Sequence, residues 1–298
     1  MLHAEGRAQG PFVLLHGGAG PQDRDPKSLT AMTQELVAIA RAAIANIGSG
    51  QDLLDLVVAA LCQLEDSPHF NAGYGGAIQA DGGVRLTAAL MDGRRQSFSG
   101  VVGLQFARHA SLVASVLQRR TARVLASPGA ELVARELNLP VESLVTEERL
   151  SRFAQRARED AFTLYDTVGA IVFDGRGQLV AGTSTGGRGS EYPGRVSDSA
   201  TVAGTYASEF CGVSATGVGE EIVDDALAAR IDTRVRDGMS LADASKKALA
   251  EAMRLSRQYG WIAASACGDW VVAHTTPSMS YAVIDFDGKV LKSSGTTW

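Results

Sequence analysis

The chain has 298 residues, of which 45% are hydrophobic and 20% are charged. That is an ordinary globular composition, which excludes a disordered protein. A chain of this length can bury a large core without disulfides. Lysine and arginine number 28 and aspartate and glutamate 33, for a net charge of −5. We therefore expect neither a nucleic-acid partner nor an anionic membrane surface, because both require a basic face.

The cysteine content points to a reducing compartment. Cys62, Cys211 and Cys267 lie far apart and form no C-x-x-C pair, which argues against a disulfide framework and a cysteine-rich zinc site. The chain shows no signal-peptide core, and no stretch approaches the roughly 18 apolar residues of a membrane helix. We therefore predict a cytoplasmic protein without a membrane partner.

Strands and helices are predicted in blocks along the chain. The first half contains a strand over 12–15, helices over 28–47 and 52–64, alternating strands up to about 104, and helices from about 109 to 160. The second half contains strands over 167–173, 179–183, 201–206 and 210–216, helices over 220–235 and 241–259, and strands over 261–267, 269–275, 280–286 and 289–293. Blocks of this kind favour an α+β fold of packed layers over a Rossmann sheet.

Common catalytic signatures are absent, and one apparent match is misleading. The sequence has no P-loop, no dinucleotide fingerprint and no H-E-x-x-H. Residues 182–186 (GTSTG) match G-x-S-x-G after a predicted strand. A serine-hydrolase elbow must open a helix directly afterwards, whereas residues 187–194 (GRGSEYPG) cannot form one. A serine hydrolase that uses Ser184 is kept as an alternative.

Three short segments are rich in threonine and glycine: 166–169 (DTVG), 183–187 (TSTGG) and 214–219 (SATGVG). A fourth segment, 193–199 (PGRVSDS), lies between the last two. Threonine favours strands and glycine favours turns, so any one segment alone needs no functional explanation. Their joint occurrence, in this order and spacing, indicates a functional motif set.

The motif set resembles the plant-type asparaginase and isoaspartyl-peptidase family of N-terminal nucleophile hydrolases. The resemblance covers nearly the whole chain. It runs through 16–20 (HGGAG), 70–73 (FNAG), 91–93 (MDG), 166–169, 183–187, 193–199 and 215–220 (ATGVGE). The T-V-G, T-S-T-G-G, G-R-V-x-D-S and T-G-x-G-E motifs are highly specific in this order.

The resemblance implies a four-layer αββα sandwich in one domain, residues 1–298. It also implies self-cleavage into an α subunit, 1–166, and a β subunit, 167–298, which pair into a dimer of αβ units. The implied reaction is hydrolysis of the side-chain amide of L-asparagine and of β-aspartyl (isoaspartyl) dipeptides. The acyl-enzyme forms on a threonine, and no organic cofactor is needed.

The resemblance also assigns site residues. Self-cleavage between Asp166 and Thr167 would leave Thr167 with a hydroxyl nucleophile and a free α-amine, whose pKa of roughly 7.7–8.0 suits a general base. The other implied residues are Thr185 beside the nucleophile, Thr216 and Gly217 in the oxyanion hole, Arg195 for the substrate α-carboxylate, Asp198 and the Gly219 carbonyl for its α-ammonium, and Asn71, Gly17 and Gly18 in support. The backbone carbonyls of Leu64, Glu65, Ser67, Phe70, Ala72 and Tyr74 align with a sodium-binding loop.

Several positions depart from the usual family pattern. Asp166 stands where glycine is common, and Ser197 replaces a common glycine. Residues 85–88 (RLTA) replace a usual Glu-Leu-Asp-Ala, and 188–192 (RGSEY) form a charged segment expected near the substrate entrance. These differences leave the substrate preference open. A glycosylasparaginase-type amidase and a non-processing member that only binds amino acids are the remaining alternatives.

Overall fold

The computed structural model describes residues 2–20, 26–47, 51–159 and 166–294. The strands in these ranges are β1 (Leu2–Arg7), β2 (Phe12–Gly20), β3 (Leu86–Asp92), β4 (Ser97–Leu104), β5 (Val124–Ala126), β6 (Val168–Phe173), β7 (Leu179–Thr185), β8 (Thr205–Ala207), β9 (Cys211–Gly217), β10 (Tyr259–Ser265), β11 (Asp269–His274), β12 (Ser278–Asp285) and β13 (Val290–Ser293). The helices are α1 (Pro26–Ile44), α2 (Leu53–Asp66), α3 (Ala110–Leu117), α4 (Gly129–Glu136), α5 (Glu147–Glu159), α6 (Gly219–Asp224), α7 (Leu227–Arg236) and α8 (Leu241–Arg254).

The strands form two sheets. The larger sheet has eight strands in the order β13-β12-β2-β6-β7-β3-β4-β5, and the smaller has five in the order β1-β11-β10-β9-β8. All pairings are antiparallel except that of β4 with β5. This agrees with the α+β prediction, because antiparallel neighbours need no helical crossover.

Three hydrophobic clusters separate four layers. One cluster, which includes Phe12, Ile171 and Trp270, joins strands of both sheets. A second packs helices α1 to α4 on the outer face of the larger sheet, and a third packs α7 and α8 on the smaller sheet. The predicted αββα sandwich is therefore confirmed. Among the helices of the described ranges, none is long and apolar enough to span a bilayer.

The structure corrects several predicted elements. The region predicted as helical from about 109 to 160 contains the short strand β5, whose three residues give no periodic signal. The helix predicted over 220–235 is two helices, because the chain turns at Ala226, where φ is +46°. The helix predicted over 241–259 ends at Arg254, and Tyr259 already belongs to β10. Strand β1, which was not predicted, pairs with β11.

The site is assembled where four strand ends meet. Strands β2 and β6 are antiparallel and place His16 opposite Gly169, while β6 and β7 place Val168 opposite Ser184. The end of β2, the start of β6 and the end of β7 therefore lie side by side. The end of β9, in the other sheet, completes the group through a hydrogen bond from Ala19 N to Thr216 Oγ1.

Candidate active site

Thr167 lies beside the last residue of β7. The pairing of Val168 with Ser184 brings Thr167 next to Thr185. Thr167 Oγ1 donates a hydrogen bond to Thr185 Oγ1 at 3.2 Å, and Thr167 is 6% exposed. The two threonines that the sequence predicts as partners are therefore in direct contact.

The carbonyl oxygen of Asp166, the residue before Thr167, accepts two hydrogen bonds. Asn71 Nδ2 donates to it at 2.7 Å, and Thr185 Oγ1 donates at 3.3 Å. Donors on a carbonyl oxygen stabilise the oxyanion that forms when a nucleophile attacks the carbon. The arrangement therefore favours attack on the peptide bond between Asp166 and Thr167.

The Asn71 side chain is held in this orientation by further contacts. Its Oδ1 accepts the Ala77 N–H at 2.9 Å, and its Nδ2 also donates to the Gly187 carbonyl at 2.6 Å. The Asn71 carbonyl accepts the Gly186 N–H at 2.9 Å. Both protons of Nδ2 are used, so the amide has one defined orientation and its donor points at the Asp166 carbonyl.

We expect an Asn71→Leu variant to self-cleave far more slowly than the wild-type chain. Leucine has a similar volume but no donor, and loss of one oxyanion-hole donor lowers a rate by about 10²–10³-fold. The rate is measured as the fraction of cleaved chain against time in denaturing gels, with the melting temperature as a check on folding. An Asn46→Leu variant in the exposed turn after α1 is the matched control. Equal cleavage rates in Asn71→Leu and wild type would contradict this assignment.

A buried chain of polar side chains lies next to the strand that begins after Thr167. His16 Nε2 is 2.9 Å from Ser214 Oγ, which is 2.8 Å from Thr183 Oγ1. Gly169 permits this contact, because a Cβ there would lie 2.0 Å from Ser214 Oγ and 2.2 Å from His16 Nε2. Burial lowers the pKa of His16 to about 3, so the ring is neutral near pH 7. Gly169 in the T-V-G motif is the sequence signal for this packing.

Two glycines in the second half of β2 allow the backbone to approach the predicted cleavage site. Gly18 has a φ of +111°, and a Cβ on it would lie 2.4 Å from Asp166 Oδ1. A Cβ on Gly17 would lie 2.4 Å from the Phe70 ring. Both predicted supporting glycines therefore lie against the predicted cleavage site or the loop that carries Asn71.

The two residues predicted for the oxyanion hole lie at the end of β9. Thr216 is fully buried, and its Oγ1 accepts the Ala19 N–H at 3.2 Å. Gly217 lines the cleft beside Thr167. Its φ is +133°, and a Cβ on it would lie 2.4 Å from the Tyr259 Cα. Only glycine fits this position without strain.

A cleft of about 300 Å³ opens beside Thr167. The predicted site residues that line it are Asp166, Thr167, Thr185, Arg195, Asp198, Gly217 and Gly219. The predicted nucleophile and the residues predicted to bind the substrate charges therefore share one cavity. We call it the first cleft.

Asp198 carries a buried carboxylate in the first cleft. Its Oδ1 accepts a hydrogen bond from Ser197 Oγ at 2.9 Å, whereas its Oδ2 is buried and has no hydrogen-bond partner among the described residues. Burial raises the pKa of Asp198 to about 6. Gly219 packs directly on this group, because a Cβ there would lie 2.7 Å from Asp198 Oδ1. A cationic ligand group would satisfy the free oxygen.

Arg195 is held by Glu220, a residue of the T-G-x-G-E motif for which the sequence predicts no separate function. Arg195 Nε and Nη2 donate to the two carboxylate oxygens of Glu220 at 2.7 and 2.9 Å. These hydrogen bonds lower the pKa of Glu220 to about 2. Arg195 Nη2 also donates to Ser197 Oγ at 3.1 Å. The pair fixes the guanidinium, and Nη1 remains for a ligand carboxylate.

The loop that aligns with a sodium site follows α2. Gly75 permits its tight course, because a Cβ there would lie 1.9 Å from the Phe70 carbonyl oxygen. That oxygen accepts a hydrogen bond from Arg149 Nη2 at 3.1 Å, and Ala72 O accepts the Gly75 N–H at 2.9 Å. Carbonyl oxygens suit a hard cation, and each has two lone pairs, so the donor set fits Na⁺. Among the described residues, no three His, Cys, Asp or Glu side chains gather around a metal position.

Comparisons with known proteins identify the family of the chain. A family model described as Asparaginase matches residues 9–291. The chain belongs to the asparaginase family. A protein from a Synechocystis species named "Isoaspartyl peptidase/L-asparaginase" is 40% identical over 282 residues, which are 90% of this chain and 85% of that relative.

More distant members of the asparaginase family match over a similar length. A "Plant-type L-asparaginase" from Pyrococcus horikoshii is 35% identical over 295 residues, which cover 91% of this chain and 95% of the relative. The human "Isoaspartyl peptidase/L-asparaginase" is 34% identical over 294 residues, which cover 94% of each chain. The αββα layers described above are those expected of the N-terminal nucleophile hydrolases in this family.

Ser184 of this asparaginase-family chain is not placed as a nucleophile. It is fully buried in β7, and its hydroxyl donates to Glu65 Oε1 at 2.6 Å. Glu65 also accepts hydrogen bonds from Ser111 N and Oγ, and burial raises its pKa to about 7. A serine without access to a substrate cannot attack it, so the geometry disfavours the serine-hydrolase alternative.

Proposed function

We propose that the chain cleaves itself before Thr167 and then hydrolyses the side-chain amide of L-asparagine and the isopeptide bond of β-aspartyl dipeptides. The observation that carries this proposal is the Asp166 carbonyl, which accepts hydrogen bonds from Asn71 and Thr185 beside the Thr167 hydroxyl. Membership of the asparaginase family and the names of the relatives support the substrate class.

Self-cleavage starts with attack of Thr167 Oγ1 on the Asp166 carbonyl carbon. Asn71 Nδ2 stabilises the oxyanion, and the C–N bond breaks as the Thr167 nitrogen takes up the proton that the hydroxyl loses. The acyl group thereby moves from nitrogen to oxygen as an ester. Water then hydrolyses the ester and frees the carboxylate of Asp166. The new α-amine of Thr167 has a pKa of roughly 7.7–8.0 and can remove the proton from its own hydroxyl.

The mature site then binds an aspartyl group by its two charges. Asp198 Oδ2 and the Gly219 carbonyl receive the α-ammonium, and Arg195 Nη1 binds the α-carboxylate. The β-carbonyl carbon lies at Thr167 Oγ1, and its oxygen points to Gly217, which lines the first cleft. Thr216 is fully buried behind Gly217 and supports this strand end through its hydrogen bond from Ala19 N. The amine leaves with the proton taken from the hydroxyl, and water hydrolyses the ester to free aspartate.

Release of aspartate from asparagine and from β-aspartyl-leucine tests the function. We expect the cleaved protein to hydrolyse both. A protein that hydrolyses a glycoasparagine but neither of these would support the glycosylasparaginase alternative. A chain that stays uncleaved and binds aspartate without turnover would support the amino-acid-binding alternative.

We also propose that the loop after α2 holds a sodium ion through backbone carbonyls. We expect the melting temperature in NaCl to exceed that in choline chloride of equal concentration by about 2–4 °C, which corresponds to roughly 1 kcal/mol in a chain of this size. The difference should grow in Arg149→Met, because the Phe70 carbonyl then keeps both lone pairs for the ion. Equal melting temperatures in both salts would contradict sodium binding.

We further infer a cytoplasmic location and pairing of αβ units into a dimer. The three cysteines, Cys62, Cys211 and Cys267, are free thiols, which fits a reducing compartment. The dimer rests on the resemblance to the family. Light scattering on the cleaved protein tests it, and the mass of a single αβ unit would contradict it.

A further inference from the structure

A second cleft adjoins the first and has no part in the reaction described so far. The space between its walls, together with the open solvent at its mouth, is about 760 Å³. Thr185, Gly187, Arg195 and Ser197 line both clefts and form the ridge between them. Thr185 is the hydrogen-bond partner of the nucleophile. A group that leaves the acyl carbon at Thr167 therefore reaches the second cleft by crossing this ridge.

A row of hydrogen-bonded side chains forms one wall of the second cleft. The row starts at the ridge, where Glu191 packs on Gly187: a Cβ there would lie 2.0 Å from Glu191 Oε1. Gln79 Nε2 donates to Glu191 Oε1 at 3.3 Å, and Arg85 Nη1 donates to Gln79 Oε1 at 2.8 Å. The Glu191 carboxylate thus lies at the ridge, and the Gln79 side-chain amide separates it from the Arg85 guanidinium.

Both charged groups of this wall have hydrogen-bonding atoms that are not used within the protein. Glu191 Oε2 is buried and has no hydrogen-bond partner among the described residues. Arg85 uses Nη1 and Nη2 to bind Asp81, at 2.9 and 2.8 Å, and Nη1 to bind Gln79. These bonds fix the guanidinium and leave its Nε–H and one Nη2 proton for another acceptor.

We propose that the second cleft binds the leaving α-amino acid of β-aspartyl dipeptides, with its amine at Glu191 Oε2 and its α-carboxylate at Arg85. This inference rests on the function proposed above. When the C–N bond breaks, the departing nitrogen takes the proton from Thr167 Oγ1 and a second proton from water. The resulting ammonium lies nearest the ridge, where Glu191 carries a negative charge. The carboxylate lies beyond the ridge, where Arg85 carries a positive charge.

Thr87 adds a hydroxyl to the same cleft. Arg85 and Thr87 both line the second cleft. Thr87 Oγ1 accepts the Gly103 N–H at 3.4 Å, so its own proton can bind another acceptor. A carboxylate at each position would repel the α-carboxylate of a leaving amino acid, whereas a guanidinium and a hydroxyl attract it.

Three substrates with the same aspartyl group distinguish binding of the leaving-group carboxylate from a general change in activity. They are L-asparagine, β-aspartyl-leucine and β-aspartyl-isoamylamide, whose leaving amine is leucine without its carboxylate. In the wild-type enzyme we expect kcat/KM for β-aspartyl-leucine to exceed that for the isoamylamide by about tenfold. One charge-assisted hydrogen bond to the leaving carboxylate contributes a difference of about this size. In Arg85→Met the ratio should fall to about 1, with asparagine hydrolysis unchanged within about twofold.

Two further variants sharpen the comparison. Arg85→Lys should restore part of the ratio, because it keeps the charge. Arg120→Met, on the exposed surface, should leave the hydrolysis of all three substrates unaffected.

An unchanged ratio in Arg85→Met, or an equal loss of kcat/KM on all three substrates, would overturn the assignment. Hydrolysis of asparagine alone by the wild-type enzyme would overturn it while leaving the asparaginase function intact. Hydrolysis of none of the three would contradict the proposed function itself.

Discussion

A Thr167→Ala variant should remain one uncleaved chain and should hydrolyse neither asparagine nor β-aspartyl-leucine. The change removes the hydroxyl that attacks the Asp166 carbonyl and, without cleavage, the α-amine never forms. Loss of a nucleophile that acts together with its base lowers kcat by about 10³-fold or more. Denaturing gels and an aspartate-release assay measure the two effects on one preparation.

Thr167→Ser is the matched control for this variant. Serine keeps the hydroxyl but lacks the methyl group that restricts χ1, so cleavage and turnover should continue at reduced rates. The hydrogen bond to Thr185 needs only the hydroxyl, so Thr167→Ser should keep it, whereas Thr167→Ala loses it. The melting temperature of each variant is measured as the check on folding. Normal asparagine hydrolysis by Thr167→Ala would end the assignment of Thr167 as nucleophile.

The second large effect is expected at Asp198. An Asp198→Asn variant keeps the shape of the side chain but loses the charge that binds the substrate α-ammonium. Removal of one partner from a buried charge pair costs about 2–5 kcal/mol, so kcat/KM should fall by about 10²-fold. Self-cleavage should proceed normally, because it involves no bound ammonium. A variant with unchanged kcat/KM on asparagine would contradict this assignment.

The pH profile gives an independent test of Asp198. Burial raises the pKa of its carboxyl to about 6, so the group loses its charge as the pH falls through that value. The Thr167 amine must also be deprotonated, and its pKa is roughly 7.7–8.0. The logarithm of kcat/KM should therefore rise with slope 2 below about pH 6 and slope 1 between that value and the amine pKa. In Asp198→Asn the slope should be 1 throughout.

Much of the site was predictable because its residues lie in short motifs at strand ends. Residues 166–169 and 183–187 belong to neighbouring antiparallel strands, so a local pattern was enough to bring Thr167 and Thr185 together. The αββα layers followed from the same resemblance. The autocleavage and the substrate-binding assignments stay predictions, since geometry places the residues but does not report their chemistry.

Contacts between distant parts of the chain were not predictable from local patterns. The Arg195–Glu220 pair joins residues 25 positions apart, and Arg149 reaches the Phe70 carbonyl across 79 positions. The wall that runs from Arg85 through Gln79 to Glu191 joins residues 85–88 and 188–192, which the sequence shows as two separate departures from the family pattern. Such contacts depend on how the layers pack, and neither hydrophobic periodicity nor turn residues encode them.

Intact-mass spectrometry of the purified wild-type protein, repeated over several days under denaturing conditions, shows whether Thr167 becomes a new N-terminus. We expect two fragments, with the smaller beginning at Thr167, and asparagine hydrolysis that grows in proportion to the cleaved fraction. A single chain that hydrolyses asparagine at a constant rate, or a cleavage at any other bond, would contradict Thr167 as the self-generated nucleophile.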